Sequence, residues 1–375
     1  MILPGATLGV LGGGQLGRMF TLAATVMGYR VAVLDPDPLS PAGQLADIHL
    51  RADYRDAVAL LRMGELCDAV TTEFENVPAE SLEMLARHCL VAPSPAALAV
   101  AQDRLAEKTL AREFGCATAP YANIESADDL AAAWSAVGAP ALLKTRRLGY
   151  DGKGQARIDS LDAFVATFAK FGSAPCLLES FLPLEREVSV VLARNAQGEI
   201  AYFPLAENRH RNGILDVSIV PARIPDTLVA QTREMAGHIA AGLDYVGVLA
   251  VEFFVLADGS VVFNEMAPRP HNSGHYTLDA CASDQFEQQV RALCGLPLGD
   301  TRLLSPVVMV NLLGDIWQPQ PRWAELLRHP GVKLHLYGKA EARPGRKMGH
   351  YNCLAESVEA ALELARTTRA ALGIG

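Results

Sequence analysis

The stretch VEFFVLADGSVVFNEMA, residues 251–267, alternates in character on both sides of a single Asp-Gly pair. Such alternation around Asp258-Gly259 marks a β-hairpin closed by a two-residue turn. With that turn, Ala257 pairs with Ser260, and counting back sets Glu252 directly opposite Glu265. Their neighbours on the same face are Phe254 with Phe263 and Leu256 with Val261. Two carboxylates facing each other beside an apolar stripe repel. They are tolerated if a cation sits between them or if both reach water. Oxygen donors on adjacent strands suit Mg²⁺, which bridges carboxylates and nucleotide phosphates. A register slip of one residue would carry Glu265 to the other face.

Outward from the hairpin the chain divides in character. Residues 6–11, 30–35 and 67–73 read as strands, separated by helical spacing at 15–28, 53–65 and 78–88. That βαβα alternation implies a parallel sheet covered by helices, with a boundary near residue 98. One helix is expected over 97–115, ending on Gly115, and another over 126–137. A strand carrying Lys144 follows, and residues 176–223 read as antiparallel strands with a hairpin around 195–198. A helix over 226–244 leads into the 247–267 hairpin. The last part holds a strand at 306–313, a proline-rich crossover and a terminal helix near 356–371. The fold class expected is α/β followed by α+β. The division is 1–98, then 99–298 with a lid subdomain at 118–178, then a small C-terminal domain at 299–375.

Bulk composition bounds the chemistry. Half of the 375 residues are hydrophobic and 20% are charged, as in ordinary globular proteins. A net charge of −9 argues against a nucleic-acid partner. It leaves open a local basic pocket for a small phosphorylated ligand. The seven cysteines are scattered without C-x-x-C spacing, so neither a zinc site nor a disulfide framework is expected. Reduced thiols and the lack of a positive leader or long apolar run point to a soluble, cytoplasmic protein without a membrane partner.

Two glycine-rich segments need an account. LGGGQLG, residues 11–17, offers Gly12-x-Gly14-x-x-Gly17 between a strand and a helix, with Asp35 closing the next strand. That spacing fits a dinucleotide fingerprint, a turn that needs glycines for packing alone, or amides facing the phosphate or ribose of another ligand. No hydride-transfer residues follow, which favours the last. RRLGYDGKGQ, residues 146–155, packs three glycines and three cations, yet lacks the Gly-Lys-Ser/Thr of a phosphate-binding loop. A carboxylate pair for Mg²⁺, a strand lysine (Lys144) and a glycine-rich cover together suggest phosphoryl transfer. CLLESFLP, residues 176–183, is an apolar strand placing Glu179 where an adenine and its ribose would sit.

At this point the chain resembles the ATP-grasp superfamily, and within it the N5-carboxyaminoimidazole ribonucleotide synthetases of purine biosynthesis. The resemblance runs nearly the whole length, through LGGGQLGRM, TTEFENV, QDRLAEK, RRLGYDGKGQ, ESFLPLEREVSV, ENRHRNGIL, NEMAPRPHNSGHYT and RPGRKMGHYN. It implies an ATP-grasp architecture with a Rossmann-like N-terminal domain. It also implies ATP-dependent carboxylation of aminoimidazole ribonucleotide by bicarbonate, by way of carboxyphosphate. Carried over, Arg104 and Lys144 contact ATP phosphates, and the loop Gly149, Tyr150, Asp151, Gly152, Lys153, Gly154, Gln155 folds over them. Glu179, Ser180, Phe181 and Leu182 line the adenine, Glu187 holds the ribose, and His210 lies near the nucleotide. Glu252 and Glu265 bind Mg²⁺ with Asn264 beside them. For the ribonucleotide the candidates are Gln15, Leu16, Glu75, Tyr150, Asp151, Arg269, His271, Asn272, Ser273, Lys339 and Arg346. Asp151, Lys153, Lys339 and Arg269 are the catalytic candidates. The resemblance further implies a homodimer and functional coupling to a mutase that takes the labile carbamate. Formate-using glycinamide ribonucleotide transformylases and biotin carboxylases share the nucleotide site, and a non-catalytic nucleotide sensor is the reading from another class.

Overall fold

A computed structural model of the chain describes residues 1–149 and 154–374. Among these residues the strands form three sheets. The first is parallel, in the order Ile48–Leu50, Arg30–Leu34, Thr7–Leu11, Ala69–Thr72, Leu90–Val91. Its central strands are buried on both faces, which is why they read as continuous apolar runs. The helices Gln15–Val26, Ala57–Leu66 and Ala79–Leu85 alternate with them as expected. Asp56 starts the second of these, accepting from the amides of Val58 and Ala59 at 2.9 and 3.0 Å.

A four-stranded antiparallel sheet, in the order Tyr121–Ile124, Cys176–Ser180, Ala141–Thr145, Gln155–Ile158, carries Lys144 and Glu179 on adjacent strands. The third sheet has nine strands. It runs Val261–Ala267, Gly247–Leu256, Leu184–Arg194, Ala206–Arg211, Ile214–Val220, Val307–Leu313, Lys347–Leu354, Val332–Leu336, with Ile200–Tyr202 paired to Leu184–Arg194. The C-terminal strands therefore join edge to edge with those carrying the hairpin. Lys347–Leu354 and Val332–Leu336 lie in what reads from sequence as a proline-rich crossover. Lys347–Leu354 is buried on both faces, and the polar side chains of His350 and Asn352 interrupt the apolar run by which such a strand is read.

The helix expected over 97–115 is two helices, Pro95–Ala101 and Arg104–Glu113. The break comes at Asp103, whose carboxylate accepts from the Leu105 amide at 3.0 Å and so starts a new helix. Helix Gln285–Leu293 docks the parallel sheet onto the large one. Phe286, Val290 and Leu293 pack with Leu16, Met19 and Phe20, each contributing roughly 1.5–3 kcal/mol by burial. On the same helix, Gln289 accepts from the Val248 amide at 2.6 Å and donates to Thr71 Oγ1 at 2.9 Å, so one buried amide bridges both sheets. Among the described residues no helix is long and apolar enough to cross a membrane.

Candidate active site

Where the carboxyl ends of Thr7–Leu11 and Ala69–Thr72 face the large sheet there is a cleft of about 550 Å³. This is the switch point of the parallel sheet, where open α/β folds bind ligands.

The first glycine turn borders this cleft but does not present its amides to it. Gly14 and Gly17, at the start of helix Gln15–Val26, donate to Glu73 at 2.5 and 2.8 Å. Gly13 donates to Asp35 Oδ2 at 2.7 Å, and the Tyr54 hydroxyl donates to the same oxygen at 2.7 Å. The anion at this helix N-terminus is the chain's own carboxylate. A Cβ on Gly14 would lie 2.5 Å from Glu73 Oε1, and one on Gly12 would collide with the same side chain. The glycines thus admit Glu73, and the amides of Gly13, Gly14 and Gly17 are taken by the chain's own carboxylates, not left for the pyrophosphate of a nicotinamide dinucleotide.

The hairpin does set Glu252 opposite Glu265, by a different route from the two-residue turn. Leu256 and Ser260 close a three-residue turn, with the Leu256 amide bonded to the Ser260 carbonyl at 2.9 Å and Gly259 at φ +81°. The pairs near the turn shift accordingly: Phe253 faces Phe263 and Val255 faces Val261, not Phe254 with Phe263 or Leu256 with Val261. An irregularity between Glu252 and Phe253 leaves Asn264 as the extra residue, and it restores the glutamate pair. Burial lifts the Glu252 carboxyl to about 7, and Glu265 adds to the shift. Burial also works against ionisation of Glu265, but Arg104, donating to its Oε2 at 2.8 Å, outweighs it and holds the group at about 2.

Cations cluster behind this pair. Lys144 and Lys108 converge on Glu179 Oε2 at 2.9 and 3.4 Å. Burial opposes the charge on Glu179, yet the two lysines draw it down to about 2. The Glu179 side chain is therefore engaged with cations through Oε2, while its buried Oε1 has no hydrogen-bond partner among the described residues. Glu107, beside Arg104, is pushed up to about 8 by burial and then by Glu265. On the far side, His210 Nδ1 and Glu187 Oε2 lie 2.5 Å apart. Burial opposes the imidazolium, but Glu187 and Glu252 raise the His210 pKa above its usual value.

Of the ribonucleotide candidates, Gln15, Leu16, Glu75, Arg269, His271 and Asn272 line the same cleft. Arg269 Nε donates to Glu75 Oε2 at 2.5 Å, joining the large sheet to the loop after Ala69–Thr72. His271 Nε2 is 3.5 Å from Glu252 Oε1, and burial lowers this imidazole to about 3, so it faces the cleft neutral. Its Nδ1 lies 2.9 Å from Ser273 Oγ, which in turn accepts from the Ser189 hydroxyl at 2.7 Å. Ser273 is fully buried and orients His271. Asn272 and Asn311 exchange amide hydrogen bonds at 3.0 and 2.8 Å. Lys339 Nζ donates to the Lys347 carbonyl at 2.7 Å, and Arg346 Nη1 to the Glu341 carbonyl at 2.8 Å.

The cleft lining gathers Gln15, Leu16, Glu75, Arg104, Gly149, Glu252, Glu265, Arg269, His271 and Asn272. Lys144, Gly154, Gln155, Glu179, Ser180, Phe181, Leu182, Glu187, His210, Asn264, Ser273, Lys339 and Arg346 stand outside that lining. Phe181 is exposed, with the Arg157 guanidinium 4.7 Å from its ring centroid. Tyr150, Asp151, Gly152 and Lys153 lie outside the described residues. Glu73, Glu107 and Lys347 line the cleft without having been singled out from sequence. The QDRLAEK run marked the neighbourhood of Glu107, and RPGRKMGHYN that of Lys347.

Among the described residues no group of three or more His, Cys, Asp or Glu side chains is arranged to hold a metal ion. The hairpin nonetheless fits a divalent cation that shares its ligands with phosphates. Glu252 and Glu265 offer carboxylate oxygens on adjacent strands. Between them in sequence, Asn264 Oδ1 is buried without a hydrogen-bond partner among the described residues.

Comparison with known proteins agrees with this geometry. Residues 5–102 match the ribonucleotide synthetase preATP-grasp domain, 109–286 the ATP-grasp domain, and 307–364 the phosphoribosylaminoimidazole carboxylase C-terminal domain. The N5-carboxyaminoimidazole ribonucleotide synthase of Brucella melitensis is 49% identical over 92% of this chain and 96% of its own. A crystal structure of the ADP complex of an N5-carboxyaminoimidazole ribonucleotide synthetase superposes with a TM-score of 0.94 at 46% identity, covering 98% of this chain and 97% of the other. The Aspergillus clavatus enzyme, solved with ADP and 5-aminoimidazole ribonucleotide, superposes with a TM-score of 0.91 at 30% identity, covering 98% of both chains. By sequence and by fold, this chain belongs to the N5-carboxyaminoimidazole ribonucleotide synthase family of ATP-grasp enzymes.

Proposed function

We propose that the chain uses ATP and bicarbonate to carboxylate the exocyclic amine of 5-aminoimidazole ribonucleotide. The observation that carries the reading is that the Glu252/Glu265 pair lines one cleft together with Arg269, His271 and Asn272. A nucleotide side and an acceptor side thus share a single volume. The first step forms a bond between a bicarbonate oxygen and the γ-phosphorus and breaks the bond to the β-phosphate oxygen. It yields ADP and carboxyphosphate. Loss of phosphate then gives CO₂, which the amine captures as a carbamate while giving up a proton. Glu252 and Glu265, with Asn264 beside them, would hold Mg²⁺, which supplies charge neutralisation on the phosphates.

Arg104 and Lys144 bind and orient phosphate oxygens, which requires each to exchange its present carboxylate partner for the nucleotide. Glu187 and His210 bound the ribose end, and Phe181 the base. Gln15, Leu16 and Glu75 approach the ribonucleotide from the parallel sheet, with Arg269, His271, Lys339 and Arg346 opposite. Asp151 and Lys153, between Gly149 and Gln155 in sequence, are assigned to proton removal from the amine and to charge at the phosphate. The reading places the enzyme in the cytoplasm as a homodimer, divided at residues 98 and 298 and coupled to a mutase that consumes the carbamate.

The test is phosphate release from MgATP and bicarbonate, with and without the ribonucleotide. Release that depends on it is the expected result. Release stimulated instead by glycinamide ribonucleotide would keep the nucleotide site and overturn the acceptor.

A further inference from the structure

Strand Val261–Ala267 is the outer strand of the nine-stranded sheet, and beyond an isolated bridge from Thr118 to Phe263 no strand among the described residues pairs with its outer edge. Around Glu265 that edge is met by side chains from a single helical turn. Glu107 accepts the Met266 amide at 2.5 Å, and Lys108 donates to the Asn264 carbonyl at 3.2 Å. Arg104 holds the Glu265 carboxylate itself at 2.8 Å. Positions 104, 107 and 108 have the spacing that puts side chains on one helix face. The helix is anchored in its turn, because its capping residue Asp103 accepts from Arg146 Nε and Nη2 at 3.0 and 2.6 Å. Glu107 and Lys108 are 2% and 1% exposed, so water does not compete for these contacts.

We propose that Glu107 and Lys108 are positioning residues for Glu265. They take the place of a neighbouring strand, gripping the carbonyl before Glu265 and the amide after it, and so aim its carboxylate at the space it shares with Glu252. The irregularity at Asn264 is what makes the grip necessary. Regular pairing with Gly247–Leu256 lapses there, one residue from the functional carboxylate. The inference rests on the reading of Glu265 as a metal ligand.

The experiment measures ATP binding by titration calorimetry in Mg²⁺ and in EDTA. Glu107→Leu removes the acceptor, whereas Glu107→Gln keeps a side-chain oxygen in its place. The gain in ATP affinity that Mg²⁺ confers should fall about tenfold in Glu107→Leu, with metal-free affinity held within about twofold, and return in Glu107→Gln. An unchanged gain overturns the proposal. So does a parallel loss of both affinities, which would mean that Glu107 only supports the fold, and so does a Gln variant that behaves like Leu. If Glu107→Leu does not fold, Lys108→Met against Lys108→Arg is read the same way. A wild-type chain with no Mg²⁺-dependent gain would instead withdraw the metal assignment, a result separable from failure of the variants.

Discussion

The turn before helix Gln15–Val26 and the hairpin at Glu252 both bring carboxylates to the rim of one cleft, and they settle the charge in opposite ways. At the turn, Glu73 takes the amides of Gly14 and Gly17, Asp35 takes that of Gly13, and three glycines make room. Donors and acceptors are matched within the chain. At the hairpin, two glutamates face each other, one guanidinium bridges Glu265 and the Gly149 carbonyl, one carboxyl is held near pH 7, and a buried amide oxygen has no partner among the described residues. The motif that looks like a cofactor site is closed, and the pair that looks like a packing fault is open. Uncompensated charge, more than glycine content, marks where a ligand belongs.

The largest effect expected from breaking the open side is that of Glu265→Gln. It leaves Arg104 without its anionic partner and the hairpin with one carboxylate, and ATP turnover should fall by about 10²–10³-fold. Phosphate release measures this, and a loss below about threefold would take Glu265 out of the phosphoryl-transfer site. Next is the pH dependence that the open side imposes on stability. With its pKa near 7, folded Glu252 keeps a proton that the unfolded chain loses above its ordinary 4.5, so this group weakens the fold as pH rises from 4.5 to 7. His271, His275 and His350 are held below their ordinary 6.5, by burial first. The unfolded chain binds their protons first, so they weaken the fold as pH falls below 6.5. The two trends oppose each other. Glu252→Gln removes the first, and between pH 6.5 and 5 the variant should lose about 2 kcal/mol more stability than the wild type. Urea melts at both pH values test it, and parallel losses would mean that Glu252 is ionised in the free enzyme.

Legibility from sequence follows the same division. The parallel sheet and its helices were readable because each element carries its own period and punctuation, as with Asp56 ahead of Ala57–Leu66. The Glu252/Glu265 pair was readable too, but through two displacements that cancel. The turn holds one residue more than Asp-Gly alone suggests, and the irregularity at Asn264 absorbs it. Local pattern says nothing of side chains whose partners are distant. Glu107 serves an amide 159 residues away and Glu73 an amide 59 away, so neither advertises its task. The strand Lys347–Leu354 is not legible because it is buried on both faces, and His350 and Asn352 break the continuous apolar run that marks such a strand.

The smallest effect sharpens the comparison from the closed side. Glu73→Ala would strip the Gly14 and Gly17 amides of their acceptor at a helix N-terminus. Loss of such a cap costs about 1–2 kcal/mol, and water entering the space vacated by the side chain keeps the loss toward the lower figure. What the substitution creates matters more than what it removes. Two free amides at the positive end of the helix form an anion site, so phosphate should stabilise the variant against thermal unfolding more than it stabilises the wild type, relative to chloride at equal ionic strength. The wild type has no such vacancy, because Glu73 already fills it. Equal phosphate responses in the two proteins would mean that the turn collapses once Glu73 is gone. The glycines would then be serving the packing of strand and helix, and the internal carboxylate would not be what keeps a phosphate out of this turn.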